Sequence, residues 1–190
     1  MVISAKERSV VLEGFPLDGE LYQQDVRAIQ AEAIRRHGFS EWRAAVLTCE
    51  LHGHLGIYSL LGVKMGIRAL EQFPLSESLL EVTSHAGCKP PLSCLNDGLQ
   101  VATGATLGRG TIHIADCPTP AAEALFRRGE RSVCISLNEA SRLRIAEDLA
   151  RARNESGGLT PAYWERVRRL ALSYWLNWDR QSIFDVRVES

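Results

Sequence analysis

Two histidines one residue apart, His52 and His54, are the residues of this chain whose spacing most directly indicates chemistry. Gly53 stands between them, and its conformational freedom lets the backbone turn so that both imidazoles aim at one point. Neutral imidazoles are common ligands of Zn²⁺ and of other transition metals. The pair therefore predicts half of a metal site.

The other half of such a site is expected in a short, turn-rich stretch further along the chain, which holds His85, Cys88 and Cys94. One cysteine of this stretch with the histidine pair would give three protein ligands, and this would leave a position for water or another ligand, as in catalytic zinc centres. Zinc is the first expectation, but nickel, iron and copper accept the same donors, and the sequence does not choose among them.

Cys88, Cys94 and His85 are all soft or borderline donors in this one stretch. Asp97 follows Cys94 by one helical turn, where a carboxylate can orient a ligand histidine; an ordinary packing role is the alternative. Lys89 beside Cys88 can lower the pKa of that thiol, so a nucleophilic cysteine with a histidine base is a further alternative.

The bulk composition sets limits on the class of protein. The chain has 190 residues, 45% hydrophobic and 24% charged, which fits one globular domain or one core with a small appendage. A net charge of -1 argues against nucleic acid and anionic membranes as partners. Five cysteines without a CxxC pair argue against a disulfide framework, and no apolar run approaches the ~20 residues of a membrane span. We expect a cytoplasmic protein.

Hydrophobic periodicity and turn residues predict alternating helices and strands. Helices are expected over 19–37, from the histidine pair to Phe73, and over 90–104, 139–153 and 161–177. Strands are expected over 78–84, 107–116, 122–127 and 132–137, with a terminal strand or arm over 180–190.

Glycines within the second helix, Gly62 and Gly66, indicate close approach of another backbone or of a ligand. Gly53 and Gly56 would then lie at a helix N-terminus, where backbone amides attract anions.

These elements predict an α+β fold with an antiparallel or mixed sheet and helices packed on it. Residues 1–153 are expected to form the metal-binding core. Residues 154–190 are expected to form a helical and extended segment that packs on the core or on a second subunit, because Trp175 and Trp178 near the end of the chain need burial.

Two separated motifs resemble one known family. The first is His-Gly-His-Leu at 52–55 with the glycine-spaced helix after it, and the second is Cys-Leu-Asn-Asp-Gly-Leu-Gln at 94–100 with Thr-Gly-Ala-Thr-Leu-Gly-Arg-Gly at 103–110. In this order they resemble the core domain of the FmdE-like family, which takes its name from a component of formylmethanofuran dehydrogenase. The resemblance covers about residues 20–140.

The resemblance implies an α+β core, often an intertwined homodimer, with a metal-binding cleft that His52, His54 and Cys94 line. Two departures stand out. Gly56 occupies a position where family members commonly have cysteine, and no cysteine follows Cys134, so we do not expect the zinc finger that some members append. Cys88 or His85 could compensate for the missing thiol.

The resemblance also implies a function. The first expectation is an accessory protein that binds a transition metal and is linked to a molybdenum or tungsten oxidoreductase of one-carbon metabolism. The alternative is an enzyme in which a metal in the cleft activates a bound water or substrate. A purely structural or interaction module is the third possibility.

Overall fold

The structure is a computed structural model that describes residues 10–74 and 79–189. The helices in these ranges are α1 (Gln24–His37), α2 (Phe39–His52), α3 (Ile57–Leu70), α4 (Leu95–Thr103), α5 (Glu139–Glu155) and α6 (Pro161–Asn177). The strands are β1 (Glu81–Ser84), β2 (Ile112–Ile114), β3 (Glu123–Arg128), β4 (Arg131–Leu137) and β5 (Phe184–Glu189). None of the helices in the described ranges is long and apolar enough to span a membrane.

The strands form one mixed sheet in the order β2-β1-β3-β4-β5, in which the β1–β2 pair is parallel and the other pairs are antiparallel. Val82 of β1 lies between Ile112 and Phe126, and Phe126 lies opposite Val133. All four side chains are buried in the core that the sheet shares with the helices. The α+β prediction is confirmed, including the mixed sheet.

Short-range signals place several elements correctly. Asn138 caps α5 by accepting a hydrogen bond from the Ser141 amide, and Thr160 caps α6 in the same way, with Pro161 as its first residue. The predicted turn about Gly129, which has a φ of 61°, joins β3 to β4. These cues are local, so the sequence reveals them directly.

The predicted position of the histidine pair was wrong. His52 is the last residue of α2, and Gly53 ends that helix in the left-handed conformation with a φ of 77°. The next helix, α3, begins at Ile57. The pair therefore lies at the end of α2 and in the loop after it. Of the two glycines expected at a helix N-terminus, Gly53 instead ends α2, whereas Gly56 is the N-cap of α3.

Three other elements differ in extent from the prediction. A short 3-10 turn, Gly19–Leu21, precedes α1, which begins only at Gln24. The predicted strand over 107–116 is reduced to Ile112–Ile114, because a 3-10 turn at Leu107–Arg109 and Gly110 with a φ of 65° precede it. The predicted helix over 90–104 opens with a 3-10 turn at Leu92–Cys94 before α4 begins. The start of the predicted strand over 78–84 falls at Ser78, outside the described residues.

The glycines of α3 mark close approach of another backbone, which is one of the two alternatives that the sequence left open. A Cβ at Gly62 would collide with the Leu95 carbonyl, and a Cβ at Gly98 of α4 would collide with the Ser59 carbonyl. At Gly66 a Cβ would lie 2.7 Å from the Cβ of Ala102. This packing holds the start of α3, just after the histidine pair, against the start of α4, where Cys94 and Asp97 lie.

Residues of the C-terminal segment pack on the rest of the same chain. The ring of Trp175 stacks on that of Trp42 at a centroid distance of 4.7 Å, and its carbonyl accepts a hydrogen bond from Lys64 Nζ over 3.1 Å. Lys64 is also paired with Glu41 at 2.6 Å, and Arg180 donates to the other oxygen of Glu41 over 3.1 Å. The division into 1–153 and 154–190 stays a prediction.

Candidate metal centre

His52 is held in one orientation by Asp97. Its Nδ1 lies 2.7 Å from Asp97 Oδ2, and since an ionised carboxylate only accepts hydrogen bonds, Nδ1 is the donor. In the neutral ring this leaves the lone pair on Nε2. That atom is buried and has no hydrogen-bond partner among the described residues. A buried nitrogen with a free lone pair is the state in which histidine binds a metal.

His54 lies across the Gly53 turn from His52, with ring centroids 4.3 Å apart and an angle of 38° between the ring planes. The two Nε2 atoms border one point beside Gly56. A Cβ built on Gly56 would lie 3.1 Å from His54 Nε2 and 3.5 Å from His52 Nε2. Ser59 Oγ borders the same point, also at 3.1 Å. The absent side chain at position 56 therefore leaves a small space among two imidazole nitrogens and a hydroxyl.

The electrostatics keep His54 in its neutral form. Burial lowers the pKa of the His54 imidazole, and the neighbouring His52 lowers it further because two imidazolium charges would repel each other. The neutral form is the one that offers a lone pair to a metal. His54 thus offers its imidazole to the site in the form that can bind a metal.

His52 also lines a cleft of about 360 Å³ together with Cys88, Cys94 and Asp97. Burial raises the pKa of the Cys94 thiol, and the Asp97 carboxylate adds to this rise. Cys94 is therefore a neutral thiol in the absence of a cation, and metal ligation by its sulfur would release a proton. This cleft therefore contains three predicted metal ligands, His52, Cys88 and Cys94. Asp97, the carboxylate predicted to orient a ligand histidine, lines it too.

The predicted three-ligand set is not assembled as a metal cluster. In the part of the chain that the structure describes, no three side chains from His, Cys, Asp and Glu lie close enough together to hold one metal ion. The nitrogens of His52 and His54 fit half of a metal site, with the Ser59 hydroxyl beside them. Ligation by Cys94 stays a prediction.

His85 is engaged elsewhere. Its Nδ1 donates to Glu123 Oε1 over 2.7 Å, and the other oxygen of Glu123 lies 3.5 Å from an Arg187 nitrogen. The sequence did not indicate this pair, because it depends on the pairing of β1 with β3, which brings residue 85 beside residue 123. Cys88, three residues later, is exposed.

A set of hydrogen bonds ties the loop after β1 to the start of α4. Ser84 Oγ donates to Asn96 Oδ1 over 2.6 Å, and Asn96 Nδ2 donates to the Gly87 carbonyl over 3.0 Å. The loop that carries Cys88 is thereby fixed relative to Cys94. Neither Ser59 nor Asn96 was predicted as a site residue. The sequence offers two signals for Asn96: it lies two residues after Cys94, and Ser84 is a polar residue that can form a hydrogen bond with it.

Comparisons with known proteins identify relatives of this chain. The family described as "FmdE, Molybdenum formylmethanofuran dehydrogenase operon" matches residues 51–185, which include both motifs. A protein of Archaeoglobus fulgidus named "Probable S-adenosyl-L-methionine-binding protein" is 31% identical over 94 residues, 47% of this chain. The chain spans only 25% of that relative's length.

A solved structure has the same fold. It is an FmdE-like protein from Syntrophus aciditrophicus, described as similar to a component of tungsten formylmethanofuran dehydrogenase, with a TM-score of 0.55 at 15% identity. The match covers 79% of this chain and 72% of that one. The family model extends over more than half of the chain and confirms the resemblance seen in the sequence. This protein belongs to the FmdE family.

Proposed function

We propose that this protein binds a divalent transition metal, zinc in the first place, through Nε2 of His52 and Nε2 of His54. One observation carries the proposal: both nitrogens border the space beside Gly56, and the buried His52 Nε2 has no partner among the described residues. Imidazole nitrogen suits zinc, copper, iron and nickel. A buried lone pair without a partner costs free energy, which a bound cation would offset.

The third ligand we propose is the thiolate of Cys94. Cys94 lines the same cleft as His52, and the Asp97 carboxylate that orients His52 lies one helical turn after it. Cys88 is the second candidate because it lines that cleft too, whereas the Nδ1 of His85 is already engaged by Glu123. A metal held in this way would supply Lewis-acid character to a further ligand in the cleft.

We propose that the metal-binding protein serves as an accessory factor of a molybdenum or tungsten oxidoreductase in one-carbon metabolism, as a homodimer. The family's description, which refers to the operon of molybdenum formylmethanofuran dehydrogenase, supports this role. The alternative is a metal-dependent enzyme. A specific observation favours it: the His52–Asp97 pair lies in a cleft of about 360 Å³, large enough for a small substrate.

Metal analysis of protein purified without a histidine tag tests the proposal. We expect about one equivalent of a single metal per chain by elemental mass spectrometry. The double variant His52→Ala, His54→Ala should lose it. His113→Ala is the matched control and should retain the metal, because His113 is exposed on β2 and is not among the residues that line the cleft with His52. Folded wild-type protein without metal would refute the proposal, as would equal retention in the double variant.

A second measurement separates the accessory factor from the enzyme. An accessory factor should transfer its metal to a competing chelator or apoprotein and show no turnover. An enzyme should hydrolyse a substrate at a rate that His52→Ala abolishes while the melting temperature is kept. Circular dichroism on each variant verifies that the fold is intact.

A further inference from the structure

Strand β5 leaves a long edge of the sheet without a neighbouring strand among the described residues. The two edge strands are β2, which has three residues, and β5, which has six. Proteins commonly prevent an exposed edge from pairing by means of proline, lysine or a bulge. The sequence of β5, Phe-Asp-Val-Arg-Val-Glu, has neither proline nor lysine, and its register with β4 runs without a bulge. Such an edge can accept a further strand.

The hydrogen bond from the Asn138 amide to the Ile183 carbonyl shows which backbone groups of β5 face outward. In an antiparallel pair, successive residues direct their N–H and C=O groups alternately toward the partner strand and away from it. Ile183 points toward β4, and every second residue after it does the same. The residues between them, Phe184, Val186 and Val188, therefore direct their amides and carbonyls away from β4. Each offers one donor and one acceptor along the open edge.

The side chains of these outward-bonding residues form an apolar row that the sheet covers incompletely. The row lies opposite residues of β4 that are buried in the core. Burial decreases along it, from Phe184, which is 6% exposed, through Val186, which is partly buried, to Val188, which is 63% exposed. A strand beyond β5 would remove apolar surface of Val188 from water, which favours its addition.

The charged residues of β5 favour a second copy of the same strand as the partner. Asp185 and Arg187 lie on the other face of the sheet, where both are exposed. If two β5 strands pair antiparallel about a two-fold axis at Val186, Asp185 lies opposite the partner's Arg187, and the symmetry repeats this pair. Such residues have Cα atoms about 4.5 Å apart, and opposite charges there stabilise a sheet.

Neighbouring registers do not have this complementarity. An axis at Arg187 would place two arginines directly opposite each other, and an axis at Asp185 would place two aspartates there. Like charges in directly opposed positions destabilise a sheet. The axis at Val186 also places outward-facing backbone groups opposite each other, since Phe184 then lies opposite the partner's Val188. Charge, backbone direction and the apolar row thus agree on one register.

We propose that this protein dimerises through β5, with the β5 strands of two copies paired antiparallel about an axis at Val186 so that the two sheets become continuous. The pairing adds about six backbone hydrogen bonds between the subunits. The inference deepens the homodimer of the proposed function by naming its surface, and it rests on that part of the proposed function. It does not involve the candidate metal ligands, none of which lies on β5.

Two charge reversals test this surface by complementation. We expect wild-type protein to sediment as a dimer in analytical ultracentrifugation over a concentration series. Asp185→Arg places arginine opposite arginine, and Arg187→Asp places aspartate opposite aspartate, so each variant alone should dimerise roughly ten-fold more weakly. In an equal mixture of the two variants, every arginine at these positions faces an aspartate of the other chain. The mixture should therefore recover the dimer.

Two further variants separate backbone pairing from a general effect of charge. Arg127→Asp is the matched control, because Arg127 is exposed on the inner strand β3, and it should keep the wild-type dimer affinity. Val186→Pro removes the amide at the centre of the interface but no hydrogen bond to β4, so it should abolish the dimer. Circular dichroism and metal content, measured on every variant, verify the fold and report on the metal site separately.

The outcomes distinguish this surface from the rest of the proposed function. A wild-type protein that stays monomeric would overturn both the surface and the homodimer, whatever its metal content. A dimer that Asp185→Arg, Arg187→Asp and Val186→Pro leave unchanged would overturn the surface alone. Equal weakening by Arg127→Asp, or a mixture of the two charge reversals that stays monomeric, would overturn it as well.

Discussion

His52 donates a hydrogen bond from Nδ1 to Asp97 Oδ2 over 2.7 Å, and this contact joins the C-terminus of α2 to the first turn of α4. Forty-five residues separate the two partners in the sequence. The bond fixes the ring orientation and the tautomer of His52, so the lone pair of Nε2 stays directed away from Asp97. Asp97 is thus a positioning residue for whatever His52 binds.

Asp97→Asn should weaken metal binding without unfolding the protein. Loss of a carboxylate behind a ligand histidine typically costs about 10–100-fold in metal affinity, because the ring loses its orientation and some of its basicity. The Asp97 side chain is 33% exposed, so the fold should tolerate the amide. Competition with a chromophoric chelator measures the affinity. Equal affinities of Asp97→Asn and wild type would show that the carboxylate has no role in the site.

The sequence predicts most of what depends on neighbouring residues. The caps at Asn138 and Thr160, the turn at Gly129 and the histidine pair itself are set by a few consecutive residues. The structure shows a hydrogen bond between Asp97 and His52, two residues that the sequence names as site candidates. Its second role, the orientation of a metal ligand, stays a prediction.

What the sequence could not predict depends on pairing between distant segments. The sequence predicted that a helix begins at His52, because the neighbouring residues do not distinguish a helix that ends at Gly53 from one that begins there. The left-handed φ of Gly53 in the structure makes that distinction. The His85–Glu123 pair needs the register of β1 against β3. The close contact of Gly62 with the Leu95 backbone requires the packing of α3 on α4.

Gly98→Ala should destabilise the protein strongly. A Cβ at this position would collide with the Ser59 carbonyl of α3, and backbone atoms cannot move aside without a shift of the whole helix. Such overpacking costs about 1–3 kcal/mol or more in the free energy of unfolding. Urea denaturation measures it. Gly108→Ala is the control, since no atom lies within 4 Å of a Cβ there, and a similar loss in both variants would contradict the packing argument.

Acid should destabilise the protein partly through Asp148. Burial raises the pKa of this carboxyl, but hydrogen bonds from Tyr174 at 2.7 Å and Arg144 at 2.8 Å outweigh burial, so the pKa lies below its ordinary value of 3.8. A group with a lowered folded-state pKa stabilises the fold above its unfolded-state pKa. The free energy of unfolding should therefore fall as the pH drops from about 3.8 through the folded-state pKa.

Asp148→Asn isolates that contribution. The variant should be less stable than wild type near neutral pH, and the difference should shrink as the pH falls below 3.8. Thermal unfolding across the acid range gives both curves. Glu139→Gln, at an exposed pair with Arg142, is the control and should follow the wild-type curve more closely at neutral pH. A constant gap between Asp148→Asn and wild type at every pH would contradict the assignment.

Lys64→Met should cost more stability than removal of any exposed ion pair. Lys64 is 2% exposed and its partner Glu41 is fully buried, so the substitution leaves a buried carboxylate whose one remaining hydrogen bond among the described residues comes from Arg180. Loss of one partner from a buried pair typically costs about 3–5 kcal/mol. The pKa of Lys64 is lowered by burial, which the Glu41 charge only partly offsets. Urea denaturation of Lys64→Met measures the loss.

The double variant Lys64→Met, Glu41→Leu distinguishes loss of the pair from loss of packing. Replacing both charges by apolar side chains of similar volume removes the unpaired carboxylate, so the double variant should recover much of the stability that Lys64→Met loses. Arg142→Met, at an exposed pair, should change the free energy of unfolding by less than about 1 kcal/mol. If the double variant lost as much free energy of unfolding as Lys64→Met and Glu41→Leu lose together, the cost would come from the shape of the side chains and not from their charge.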